Sequence, residues 1–130
     1  MGFLLGVEGA SAAVVVDAIT DLGHAALAGS DLVDVAIAVV VRFIAHFDAF
    51  KAKGVDEIWC ISVNDAFVMG MWGKSLGAEG KVRMLADGSA EFTKKIGMEL
   101  DLTSRGMGVR SNRYSMLVKD GVVTELNVEQ

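Results

Sequence analysis

Apolar and polar positions change rhythm several times along this chain, and from Ala45 onward each change marks an element. Ala45, Phe47 and Phe50 are apolar, Lys51 and Lys53 come late and Gly54 follows, the profile of a helix ending over residues 45–53. Ile58-Trp59-Cys60-Ile61-Ser62-Val63 is apolar in both parities, which predicts a strand covered on both faces of a sheet. Asn64-Asp65 then offers a helix cap, and Phe67 with Met71 and Val68 with Trp72 stack at i, i+4. Lys81 to Ala86 reads as a second strand, and Ser89 as the cap of a short helix that runs through Lys95 and closes at Gly97. Tyr114 to Val118 and Val122 to Val128 alternate well and are joined at Asp120-Gly121, a strong hairpin signal. The order β-α-β-α-β-β predicts an α/β sandwich with a mixed sheet.

The first 50 residues have a different texture. Ala12 to Leu27 reads as a helix interrupted by Gly23, and Val35 to Val41 as a buried strand, although periodicity alone does not separate such a strand from a helix segment. Charge marks the same boundary. Of twelve basic and seventeen acidic residues, residues 1–50 hold only Arg42 against Glu8, Asp17, Asp21, Asp31, Asp34 and Asp48, so the whole net charge of −5 belongs to them. The remaining residues hold eleven of each sign.

Composition narrows the class. A chain of 130 residues, 52% hydrophobic and 22% charged, suits a single domain over 1–130 and excludes disorder. One cysteine excludes a disulfide scaffold and a thiolate zinc cluster. The acidic balance argues against nucleic acid or an anionic membrane as partner. The opening Met-Gly-Phe-Leu-Leu-Gly lacks the basic start of a secretory signal, and Gly6 stands where myristoylation wants Ser or Thr. Val35 to Val41, between Asp34 and Arg42, falls far short of the roughly 20 residues of a membrane helix. The expectation is a cytoplasmic chain in a reducing compartment, where a lone thiol is ordinary. Proline is absent, against about six or seven expected at average usage.

Several runs together carry a family resemblance: Lys51-Ala52-Lys53-Gly54-Val55-Asp56, Cys60-Ile61-Ser62-Val63-Asn64-Asp65-Ala66-Phe67-Val68-Met69, and Trp72-Gly73-Lys74. Gly80-Lys81-Val82-Arg83-Met84-Leu85-Ala86-Asp87-Gly88, Gly108-Val109-Arg110-Ser111-Asn112-Arg113-Tyr114-Ser115 and Asp120-Gly121-Val122-Val123 continue it, with Leu126-Asn127-Val128-Glu129 at the end. This stretch resembles the carboxy-terminal portion of the type II (peroxiredoxin-5-like) peroxiredoxins, thioredoxin-fold enzymes that reduce peroxides with a cysteine thiolate. The resemblance implies a thioredoxin-like sandwich, dimers through the Phe67–Trp72 region, and thioredoxin or glutaredoxin as reductant if the chain is active. It implies no cofactor and no metal.

Residues 1–44 do not match that pattern, so the chain divides into an atypical amino-terminal segment, residues 1–44, and a peroxiredoxin-like segment, residues 45–130. The family's Pro-Gly-Ala-Phe-Thr-Pro-x-Cys segment has no counterpart in residues 1–50, which contain neither proline nor cysteine. Trp59 and Met71 also stand where the family more often has small residues. A peroxidatic thiolate needs a pKa lowered by a helix N-terminus and a nearby cation, and its threonine and arginine partners hold the peroxide oxygens. Of that set the resemblance retains only the arginine, at Arg113, just before the strand from Tyr114. A shifted reading frame, a misassembled gene or a fusion would account for the first 44 residues. If Val35 to Val41 does not replace the family's missing central strand, the strand from Ile58 keeps an open apolar edge.

Each candidate residue has a plainer reading beside it. Cys60 matches the resolving thiol of some relatives; lying on a buried strand, it reads better as a small hydrophobe with a raised pKa. Arg113 reads as the inherited anion clamp or as a charge at a strand start, with Arg110 three residues before it. His24 and His46, with Asp21 and Asp48 nearby, lack ligand spacing and read as surface histidines. Gly106-Met107-Gly108 reads as a turn rather than half a phosphate loop. Met69, Met71 and Met116 read as gap-filling core residues, and Phe67 and Trp72 as core or subunit contacts. The expected function is that of a peroxiredoxin-family protein, inactive or impaired. The alternatives are a non-catalytic self-association or partner-binding module and a slow redox switch at Cys60.

Overall fold

A computed structural model describes residues 13–16 and 40–128. Its centre is a five-stranded sheet in the order β3-β2-β1-β6-β7, with β1 Ala13–Val16, β2 Glu57–Ser62, β3 Val82–Ala86, β6 Tyr114–Lys119 and β7 Val122–Val128. β1, β2 and β3 are parallel, while β6 runs antiparallel to β1 and to β7. Parallel neighbours need long crossovers, and helical segments supply them. Residues 40–45 and α1 (Phe47–Ala52) lead into β2, and α2 (Ala66–Leu76) links β2 to β3.

The buried strand appears where the apolar run places it. Ile58, Trp59, Cys60, Ile61 and Ser62 are all buried, because β2 has a neighbour on each side and cover on each face. Val55, Met69, Val82, Tyr114, Met116 and Val118 join Ile58 in the core, with Phe43, Phe47, Trp72 and Leu76 packed around it. The mixed α/β sandwich read from the element order is present, and the hairpin turns at Asp120-Gly121. There φ is +50° and +78°, the left-handed pair that a two-residue turn between twisted strands requires.

The first 50 residues hold the main departures. Ala13–Val16 lies within the segment expected to be helical, yet it forms β1 and fills the place beside β2. Val40 and Val41 are helical, not the end of a strand; residues 35–39 lie outside the described set, as do 12 and 17–27. Three β-branched valines in four residues suit a strand held between two neighbours, so tertiary pairing decides what periodicity left open. The apolar edge expected beside β2 is therefore closed by β1.

Helix α2 also turns differently from the expected stacking. Asp65 caps it, its carboxylate accepting from Val68 N at 2.8 Å, and Gly77 ends it at φ +65°. The face that packs on β3 carries Met69 and Gly73, with Trp72 and Leu76 partly buried. A Cβ on Gly73 would stand 2.8 Å from Met84 Cγ, so the glycine lets helix and sheet approach closely. Phe67 and Met71 point outward instead, 87% and 69% exposed, so Met71 is not the core residue expected, and of the two readings of Phe67 this exposure removes only the core one. Met69 and Met116 are core, at 1% and 4%.

The short helix α3 (Glu91–Lys95) is capped by Asp87 and not by Ser89. Asp87 accepts from Phe92 N, Thr93 N and Thr93 Oγ1 at 3.1, 2.9 and 2.7 Å, while the residue at the cap position, Ala90, has φ +56° and no side-chain bond. A second, two-stranded sheet was not anticipated: β4 (Glu99–Leu102) pairs antiparallel with β5 (Gly108–Ser111). Between them, Thr103–Arg105 makes a single 3-10 turn, which Gly106-Met107-Gly108 follows on its way into β5, so this glycine segment does sit between strands but opens no helix.

Candidate functional site

The carboxyl ends of parallel strands, beside a strand of opposite direction, are where open α/β sheets present ligands. Arg113 stands there. β6 begins beside the end of β1, with Val16 opposite both Cys60 and Ser115, so the residue before Tyr114 projects from the carboxyl edge of the sheet. Arg113 is half-buried.

Arg110 braces the same edge. From β5 its Nε donates to Met107 O at 3.0 Å, and its Nη1 to Val63 O at 2.7 Å and Asn64 Oδ1 at 3.2 Å. Asn64 in turn donates to Ser62 Oγ. The two-stranded sheet is thereby tied to the β2–α2 corner, and Asn112 N adds a bond to Met98 O at 2.7 Å. A charge-assisted bond to a backbone carbonyl in a half-buried site is among the stronger contacts of its kind, so Arg110 is a structural strut.

Cys60 occupies the opposite kind of environment. It lies in the middle of β2 with no exposed surface, and burial pushes its thiol well above the ordinary value. An activated thiol needs the reverse: exposure, a helix N-terminus and a cation that favours the thiolate. The phenol of Tyr114, only 2% exposed, is also pushed up, first by burial, then by the nearby carboxylate of Asp87 and by the neighbouring Cys60, whose own ionisation would oppose that of the phenol. Its hydroxyl has no hydrogen-bond partner among the described residues, and no sequence signal marked it.

His46 is exposed, whereas His24 and Asp21 lie outside the described residues. Among the described residues no group of three His, Cys, Asp or Glu could hold a metal ion, and no helix is long and apolar enough to cross a membrane.

Comparison with known proteins gives this edge its context. The chain matches the Redoxin family over residues 35–130, a match that opens upstream of Ala45. It is 52% identical over 93 residues to Peroxiredoxin-2E, chloroplastic, of Arabidopsis thaliana, covering 70% of this chain and 40% of that protein. Among solved structures, oxidized Prx3 from Vibrio vulnificus superposes with a TM-score of 0.65 at 53% identity, covering 69% of this chain and 56% of the other. Peroxiredoxin 5 from Alvinella pompejana reaches 0.75 at 32% identity, covering 92% of this chain and 71% of that one. The fold is thioredoxin-like, and this chain belongs to the Redoxin family, among its peroxiredoxins. It spans about half the length of the curated relatives it matches.

Proposed function

We propose that this 130-residue chain is a peroxiredoxin scaffold without a working peroxidatic thiol, so that thiol-dependent peroxide reduction is absent or severely impaired. One observation carries the reading: the chain's one cysteine is buried in the middle of β2, where its thiol is held protonated. Peroxide reduction requires a thiolate to attack one peroxide oxygen while hydroxide or water departs from the other. Arg113 would stabilise the charge that develops during that step, but a clamp supplies no nucleophile. The division into residues 1–44 and 45–130 belongs to the same reading, with the family's cysteine segment replaced in the former. Cytoplasmic placement of this chain, and reduction by thioredoxin or glutaredoxin if it is active, belong to the same proposal. Peroxide consumption with either reductant, compared with Cys60→Ser, tests it: no turnover above background is expected, and a robust rate abolished by that substitution overturns it.

A second reading rests on α2. Phe67, Val68 and Met71 leave a bare apolar stripe, 87%, 48% and 69% exposed, which suits self-association of a non-catalytic module. Sedimentation of the chain and of Phe67→Glu/Met71→Glu checks this. A concentration-dependent dimer lost in the double variant is expected, and a concentration-independent monomer counts against it. A redox switch at Cys60 has less support, because the thiol is sealed from reagents in the fold.

A further inference from the structure

At the amino ends of β2 and β3, the opposite end of the parallel strands from Arg113, lies an open cavity of about 360 Å³. Its size falls in the range of small-molecule sites, and its construction follows from local geometry. The floor is one rung of the sheet: Ile58 and Val82 are register partners, 2% and 5% exposed. One wall is a helix face, since Phe47 and Lys51 are four residues apart on α1. Lys81 closes the other side, in the turn that leads into β3.

The charges in this cavity are unevenly satisfied. Glu57 already accepts from Trp59 Nε1 and pairs with Arg83 at 3.6 Å, while Arg83 lies over the Trp59 ring at 5.4 Å. Asp56 is the other acid on the lining. Lys51 is fixed in place without a carboxylate among the described residues: its ammonium donates to Asp56 O and stands 5.6 Å over the Phe47 ring. Lys81 has no partner among the described residues. Three cations against two acids leave a local positive surplus in a chain whose net charge is −5. Two ammonium groups without carboxylate partners among the described residues thus face a cavity with an apolar floor and an aromatic wall.

From this arrangement we propose that the cavity binds a small organic oxyanion, a carboxylate or phosphate carried on an apolar body. The oxyanion would sit between Lys51 and Lys81, and the body would lie on Ile58 and Val82 beside Phe47. The site is independent of Cys60 and of any peroxide chemistry.

Amide chemical-shift titration of the full chain at low ionic strength tests it, with phenylphosphate, phenylacetate, inorganic phosphate and phenyltrimethylammonium as probes. Saturable shifts at residues 47–58 and 80–83 are expected with a phenyl oxyanion, which should bind more tightly than inorganic phosphate. Whether phenylphosphate or phenylacetate binds better identifies the headgroup. Lys51→Ala/Lys81→Ala removes two charge-assisted contacts and should weaken binding about tenfold or more. Lys74→Ala/Lys94→Ala, with both charges on other elements, should leave it unchanged. The proposal fails if neither phenyl oxyanion saturates these amides, if the Lys51/Lys81 variant binds as tightly as the parent, or if the phenyl cation is the better ligand.

Discussion

Strands β2 and β7 belong to one sheet and are both rich in apolar residues, yet they live in opposite environments. β2 has a strand on each side and cover on each face, and Ile58 through Ser62 are buried. β7 is an edge strand, and all seven of its residues are exposed, Val122 and Leu126 at 62% and 45%. Hydropathy sets what a strand can bury; its place in the sheet order decides what it does bury. The same difference governs chemistry. A cysteine on a strand like β7 would meet solvent and reagents, whereas Cys60 on β2 meets neither.

Truncation on the two strands gives the widest separation. Ile58→Ala should cost about 2–5 kcal/mol of unfolding free energy, and Leu126→Ala about 1 kcal/mol or less, in chemical denaturation. Equal losses would break the contrast. Next comes the close approach that holds α2 on β3. Gly73→Ala forces Met84 to move and should cost about 1–3 kcal/mol, while Gly70→Ala, with open space around its Cβ, should be neutral or stabilising in thermal melts.

Alkaline pH sharpens the comparison through Cys60 itself. Its folded pKa is raised, so the native state keeps a proton that the unfolded chain releases above about pH 8.5. Stability should therefore be fully present below that pH and fall above it, by about 1.5 kcal/mol between pH 8.5 and 10. Cys60→Ala should flatten this part of the curve, leaving the fall due to Tyr114 to begin near pH 10, where an ordinary phenol ionises. The caps give a smaller effect: Asp87→Ala should cost about 1 kcal/mol, and Ser89→Ala less than about 0.5 kcal/mol.

What could be read from residues alone follows the same physical line. β2, the Asp120-Gly121 hairpin and the Asp65 cap were legible because short-range rules decide them. β1 was not, since Ala13–Val16 becomes a strand only through pairing with β2 and β6. β4 and β5 are four residues each, separated by a 3-10 turn, too short for either periodicity to show. Near the candidate site, the place of Arg113 just before a strand was legible from the alternation that begins at Tyr114, and the burial of Cys60 from an apolar run. The strut from Arg110 was not, because its partner carbonyl on Val63 lies 47 residues away, and neither was the unpartnered Tyr114 hydroxyl. On α2 the i, i+4 pairs were visible, but spacing does not say which face meets the sheet.

The decisive measurement is the rate at which Cys60 reacts with hydrogen peroxide, followed as loss of thiol in the folded chain and in the same chain unfolded by urea. A slower reaction in the folded state, unaffected by Arg113→Ala, is the expected result. A folded-state rate faster than that of the unfolded chain, and suppressed by Arg113→Ala, would show a working thiolate beside its arginine and contradict the account.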